Sequence, residues 1–196
     1  MILALLALVA PALGSDAGLS GLEGHLRATF PVRLWVQPAS DAQLDAAARR
    51  AIDDWNTVAR EAIGVEAFVL GAPREGAQVR VSFEPAAAQG LMGITHLHTD
   101  DTGVIQVPVT IVVTEPVARG QTSRETLLYQ VLAHELGHAL GLPHVRDPRS
   151  LMCCERGSVD LEDQATRAAY VEARRNPDVR SVRAQLMDHY ARVWRR

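Results

Sequence analysis

The spacing of apolar residues shifts between two and three-to-four along this chain, and each shift marks an element. FPVRLWVQ (30–37) alternates apolar and polar positions, which predicts a strand with one buried face. Beyond Ser40-Asp41, residues Leu44, Ala47, Ala48, Ala51, Ile52, Trp55, Val58 and Ala59 recur at helical steps, and Gly64 closes the pattern. VEAFVL (65–70) and AQVRVSFE (77–84) predict two further strands. LMGITHLHT (91–99), the loop DDTG (100–103) and VIQVPVTIVVT (104–114) predict a hairpin. Pro108 has no backbone N–H, so it must sit at a bulge or face away from a neighbouring strand.

Thr122 and Glu125 form a T-x-x-E pattern that predicts a capping box. The helix it opens carries Leu127, Leu128, Val131, Leu132, Leu136 and Leu140 on its apolar side and ends at Gly141. An irregular stretch, LPHVRDPRSLMCCERGS, leads to a helix over roughly 160–175, which Asn176-Pro177 breaks. A last amphipathic helix over roughly 178–195 uses Val179, Val182, Leu186, Tyr190, Val193 and Trp194. Residues 15–29 are rich in glycine and small side chains and predict a loose lead-in. There is no internal repeat and no low-complexity linker. The order of elements predicts one α+β domain, a twisted sheet beside its helices.

Composition narrows the class. With 196 residues, 47% of them hydrophobic, the chain can bury a substantial core as one domain. A net charge of −3 gives no pull toward nucleic acid. Every one of the twenty basic residues is arginine, a compositional habit with no structural requirement behind it. The last segment, 171–196, holds seven arginines against three acids, which reads as the solvated face of a packing helix. The start, MILALLALVAPALG, has an apolar run followed by small residues, as a signal peptide cut after Gly14 would. The run falls short of the about 20 residues a membrane span needs. The expectation is a secreted or periplasmic protein with no stable membrane span; a buried N-terminal strand or helix is the alternative. The two cysteines are neighbours, Cys153 and Cys154. Bonding between neighbours closes a strained ring, so no internal disulfide is expected.

The chemistry concentrates in HELGHALGLPH, residues 134–144. His134 and His138 stand one helical turn apart on the same face, where two imidazoles can share one zinc ion. Glu135 is too close in sequence to join that metal comfortably, yet it can reach a metal-bound water. Gly141 tolerates the left-handed conformation that stops a helix and turns the chain, and His144 can then complete a three-His site. Three protein ligands leave a fourth position for water, which is the pattern of a catalytic zinc. The alternative is an ordinary helix with histidines on its polar side. Against it, five fixed positions arise by chance about once in a few million starting points, at roughly one in twenty per residue.

This stretch matches HExxHxxGxxH, and the chain resembles the metzincin zinc metalloproteases. Met152 follows His144 by eight residues within DPRSLM, the interval and approach of the matrixins' methionine turn. VLAHELGHALGL is also similar to the matrixin active-site helix. The resemblance implies a metzincin-like zincin: a mixed sheet of about five strands packed against an active-site helix and a second long helix, with a smaller helical C-terminal part. It places the catalytic domain at 30–175, after a signal peptide (1–14) and lead-in (15–29), with a helical extension at 176–196. It implies zinc ligation by His134, His138 and His144, general-base catalysis by Glu135, and Met152 as an apolar floor beneath the zinc. The implied activity is a zinc endopeptidase acting, as a monomer, on a protein or peptide substrate. An inactive zinc-binding interaction protein, or a zinc hydrolase of a non-protein amide such as a cell-wall peptide, are the alternatives.

The departures from the family are local. Val145 stands where matrixins usually have serine. Cys153, Cys154, Glu155 and Arg156 replace the segment that walls the specificity pocket, so family preferences do not carry over. Cys154 occupies the position of a zinc-capping tyrosine in related metzincins and is a candidate reversible ligand or redox-sensitive residue; otherwise it is a small buried hydrophobe. His96, His98, Asp100 and Asp101 lie where matrixins hold structural zinc and calcium. Their ligand set is incomplete, and the acids beside Gly103 fit ordinary turn chemistry. No cysteine precedes the zinc motif, so no cysteine-switch prodomain is expected.

Overall fold

The computed structural model describes residues 18–39, 41–85, 92–118, 120, 122–154, 157 and 159–195. The expected signal peptide, 1–14, lies outside them. Five strands form one sheet: β1 (Val32–Val36), β2 (Phe68–Leu70), β3 (Val79–Glu84), β4 (Gly93–Thr99) and β5 (Ile105–Thr114), in the order β2-β1-β3-β5-β4. All neighbours are parallel except β4, which runs antiparallel to β5 as the hairpin pattern predicts. Val32 and Leu34 of β1, Val79 and Val81 of β3, and Val109, Ile111 and Val113 of β5 alternate onto the buried face. Pro108 costs the sheet nothing. The β4–β5 register breaks between His96 and His98, opposite the stretch that holds Pro108, and β3 pairs with β5 only from Val109 onward.

Helix α1 (Ala42–Ile63) begins at Asp41, whose side chain accepts from Gln43 N, and ends at Gly64 with φ 70°. It packs against α2 (Arg124–Ala139), which in turn lies against β4 and β5. The fully buried Trp55 ties the two helices by donating from Nε1 to the Ala133 carbonyl at 2.8 Å. Asn56 does the same for the sheet. Its Nδ2 donates to Phe68 O at 2.9 Å, and its Oδ1 accepts from Phe68 N at 2.8 Å, so one amide stands in for a neighbouring strand at β2.

The start of α2 differs from the capping box expected at Thr122 and Glu125. Ser123 is the cap, accepting from Thr126 N. That places Glu125 one position too early in the first turn to reach back to the cap's N–H. The C-terminal helix is also divided. After α3 (Gln164–Arg175), a 3-10 turn over Val179–Val182 precedes α4 (Arg183–Val193). The turn tightens because the Ser181 hydroxyl donates to Asp178 O at 2.7 Å while accepting from Leu151 N at 2.9 Å. Val179, Val182, Leu186 and Tyr190 join the same core as α1.

The lead-in is not loose where it is described. Gly24 N donates to Gly103 O at 3.0 Å and Gly24 O accepts from Ile105 N at 2.9 Å, beside the start of β5. His25 is buried, its carbonyl accepts from Trp194 Nε1 at 3.0 Å, and Phe30 packs edge-on against Tyr190 and Trp194. Small residues are needed because the segment threads between β5 and α4: a Cβ on Gly24 would lie 2.9 Å from Val193.

Replacing Asn56 by alanine leaves a buried N–H and carbonyl of Phe68 without partners. The expected loss is about 2–4 kcal/mol of unfolding free energy, read from urea denaturation.

Candidate metal centre

Helix α2 is buried on every side from Leu127 to Ala139. A helix so placed must satisfy its terminal carbonyls inside the protein. Gly141 N donates to His138 O at 2.8 Å and Leu142 N to Gly137 O at 3.0 Å. Two distant side chains complete the end: His25 Nε2 donates to Ala139 O at 2.9 Å, and the Tyr190 hydroxyl to Leu140 O at 2.9 Å. Gly141 then turns the chain with φ 86°, against a close neighbour, for a Cβ there would meet the Glu23 carbonyl oxygen.

This turn brings His144 back to His134 and His138. Their Nε2 atoms lie 3.0 Å (134–138), 3.1 Å (134–144) and 3.2 Å (138–144) apart. His134 Nδ1 donates to Leu151 O at 2.8 Å and His138 Nδ1 to Leu142 O at 2.8 Å. A carbonyl only accepts, so each Nδ1 carries its proton and each Nε2 presents a lone pair inward. Burial, then the neighbouring imidazoles, hold His134 well below the usual histidine range; burial and His144 bring His138 down to about 3. Neutral rings whose nitrogens converge in this way can hold a metal ion. A tetrahedral site with metal–nitrogen bonds of about 2.0–2.1 Å sets its ligand atoms about 3.3 Å apart, close to the spacing seen. Among the described residues this is the one group of His, Cys, Asp and Glu side chains gathered tightly enough to hold a metal ion.

Glu135, next to the first of these histidines, is fully buried. Burial pushes its carboxyl up to about 8, against the lowering effect of a hydrogen bond from Thr95. Its Oε1 is buried without a hydrogen-bond partner, which marks a place for a polar guest beside the histidines. Met152 is fully buried beneath the helix: its sulfur would be 2.5 Å from a Cβ at Gly137, between the two helical histidines. Val145 N donates to Met152 O at 3.0 Å, so the segment after Gly141 and the methionine turn are stitched together.

The cysteines correct the expectation that they stay unpaired. Cys153 and Cys154 are joined in a disulfide. Cys153 is fully buried, its N–H donates to Ser150 O at 3.1 Å, and its carbonyl accepts from Arg174 Nη2 at 2.5 Å. Cys154 is not part of the histidine cluster; Glu155 and Arg156 lie outside the described residues. His96 and His98 are exposed on β4. Asp100 accepts from Thr102 N, Thr102 Oγ1 and Val104 N, as turn chemistry requires. Sequence reasoning missed Thr95, His25, Tyr190 and Arg174 as supports of the site; only a polar threonine on the inward face of a strand hinted at the first.

A mixed sheet, a buried helix with HExxH and a third histidine after a glycine turn define a zincin-type metallopeptidase domain. The matrixin family profile matches residues 37–164, and the chain belongs to that family. No curated protein matches it significantly. No helix among the described residues is long and apolar enough to cross a membrane.

Gly141 and Gly64 both have positive φ, but a Cβ on Gly64 meets nothing nearer than Arg27 at 3.8 Å. Gly64→Ala is expected to cost about 1 kcal/mol; Gly141→Ala about 3 kcal/mol or more, with loss of bound metal. Urea denaturation and metal content check both. For the metal-free protein, the depressed His134 and His138 stabilise less as pH falls below 6.5, because the unfolded chain takes up their protons first. Glu135, raised from 4.5 to about 8, contributes stability that is present below 4.5 and lost as pH rises through 8. In chelator, these groups place the melting maximum at about pH 6.5, and Glu135→Gln removes the alkaline decline but not the acid one.

Proposed function

We propose that the chain is a zinc-dependent endopeptidase that hydrolyses internal peptide bonds of protein substrates, in the secreted or periplasmic space, as a monomer. The observation that carries the reading is the pairing of three converging Nε2 atoms with a buried carboxylate oxygen that has no partner. His134, His138 and His144 are the ligands, held in orientation by the Leu151 and Leu142 carbonyls and the turn at Gly141. Zinc held by these residues would supply Lewis acidity toward a carbonyl and a water, and beside that charge the Glu135 carboxyl would be favoured in its ionised form. Glu135 takes the proton of the attacking water on Oε1 and hands it to the leaving amine. Met152 closes the floor, keeping the rings from tilting into the core. Exclusion of bulk water by the surrounding core strengthens each of these interactions.

The test is cleavage of casein or a peptide library, with and without chelator, by the wild-type chain and Glu135→Ala. Wild type is expected to cleave and to lose activity with chelator. Glu135→Ala is expected to keep its zinc and lose about 10²–10⁴-fold in rate. Zinc retained by a wild-type chain that cuts no peptide would instead make this a binding protein; cleavage confined to cell-wall peptides would make it an amide hydrolase of that class.

A further inference from the structure

Strand β4 comes unusually close to the carboxylate next to the metal cluster. Positions 93 and 95 share one face of the strand, paired with Val113 and Ile111 of β5. At 95 the fully buried Thr95 hydroxyl donates to Glu135 Oε2 at 2.7 Å, and it also lies 3.2 Å from the Glu135 backbone carbonyl. At 93 there is no side chain, and none would fit: a Cβ would lie 2.8 Å from both Cγ and Oε1 of Glu135 and 2.7 Å from Val131. The two carboxylate oxygens are therefore treated differently. Oε2 is tethered, while Oε1 is buried without a partner.

A glutamate has three side-chain torsions, and its terminal one is broad and nearly two-fold. Left alone, the carboxylate would exchange its oxygens and swing along the strand. A hydroxyl on one oxygen and a bare backbone beside the other remove that freedom. We propose that Thr95 is a positioning residue for Glu135, with Gly93 providing the space, so that β4 presents a single carboxylate oxygen to the metal cluster. This rests on the zinc peptidase reading for its kinetic consequence, but not for its geometry. Thr95 transfers no proton. It fixes which oxygen does.

Thr95→Val keeps the shape and removes the hydroxyl; Thr95→Ser restores it. In the zinc-loaded full-length chain, Thr95→Val should lower kcat about 10- to 100-fold, with KM and zinc affinity, measured by chelator competition, changed by less than about twofold. Thr95→Ser should recover kcat to within about threefold of wild type. In a Glu135→Ala background, Thr95→Val should have no further effect, since there is no carboxylate left to place. A second readout needs no turnover: in glutamate ¹³C-labelled protein, Glu135 should populate one side-chain rotamer in wild type and Thr95→Ser, and average between rotamers in Thr95→Val. An active wild type with an unaffected Thr95→Val kcat, or an equal loss in the Glu135→Ala background, overturns the proposal and leaves the peptidase reading standing. A wild type that cleaves nothing, with rotamer averaging appearing only in Thr95→Val, defeats the peptidase reading and leaves the positioning intact; unchanged rotamers in Thr95→Val defeat the positioning whatever the activity.

Discussion

Three imidazole nitrogens converge on one point at the edge of the core, two of them fully buried, and the surrounding contacts hold them there. Each needs its ring neutral, its tautomer fixed and its backbone immobile. Burial keeps His134 and His138 uncharged. The carbonyls of Leu151 and Leu142 fix their tautomers. Those carbonyls come from the methionine turn and the segment just after Gly141, so the segment that brings the third ring also helps orient the first two. The cluster and its frame are one cooperative unit.

The frame is paid for in helix-end chemistry. A helix buried all round cannot leave its last carbonyls to water. Here His25 comes from the start of the chain and Tyr190 from near its end, to cap consecutive carbonyls of the ligand-bearing helix. Trp55 holds the same helix nearly two turns earlier through Ala133. The sheet supplies the other wall: β4, the antiparallel edge strand, lies against Glu135.

The gathering of the three histidines, the carboxylate beside the first of them and the α+β order were legible because they depend on local spacing. An i,i+4 pair of histidines on a helix, a glycine that turns the chain and an alternating strand are read from neighbours within a few residues. What stayed hidden was tertiary. His25 sat in a segment whose small residues suggested looseness, yet those residues are small because β5 and α4 leave no room. Thr95 matters through a contact 40 residues away. Ser123 displaced Thr122 as the cap because two adjacent hydroxyl residues compete for one role, and the pattern alone does not choose between them. The surroundings of the cysteine pair were hidden for the same reason, since the Cys153 carbonyl is held by Arg174, 21 residues away.

The two distant caps also set an order of assembly. During synthesis, α2 with both helical histidines emerges well before Tyr190 does, while His25 has been waiting since the beginning. Until the last helix leaves the ribosome, the end of α2 that steers the chain toward His144 lacks one of its two side-chain partners, and Trp194 has not yet pinned His25. Contacts spanning most of the sequence are slow to form. The frame around the three histidines is thus complete only once residues from 25 to 194 are in place.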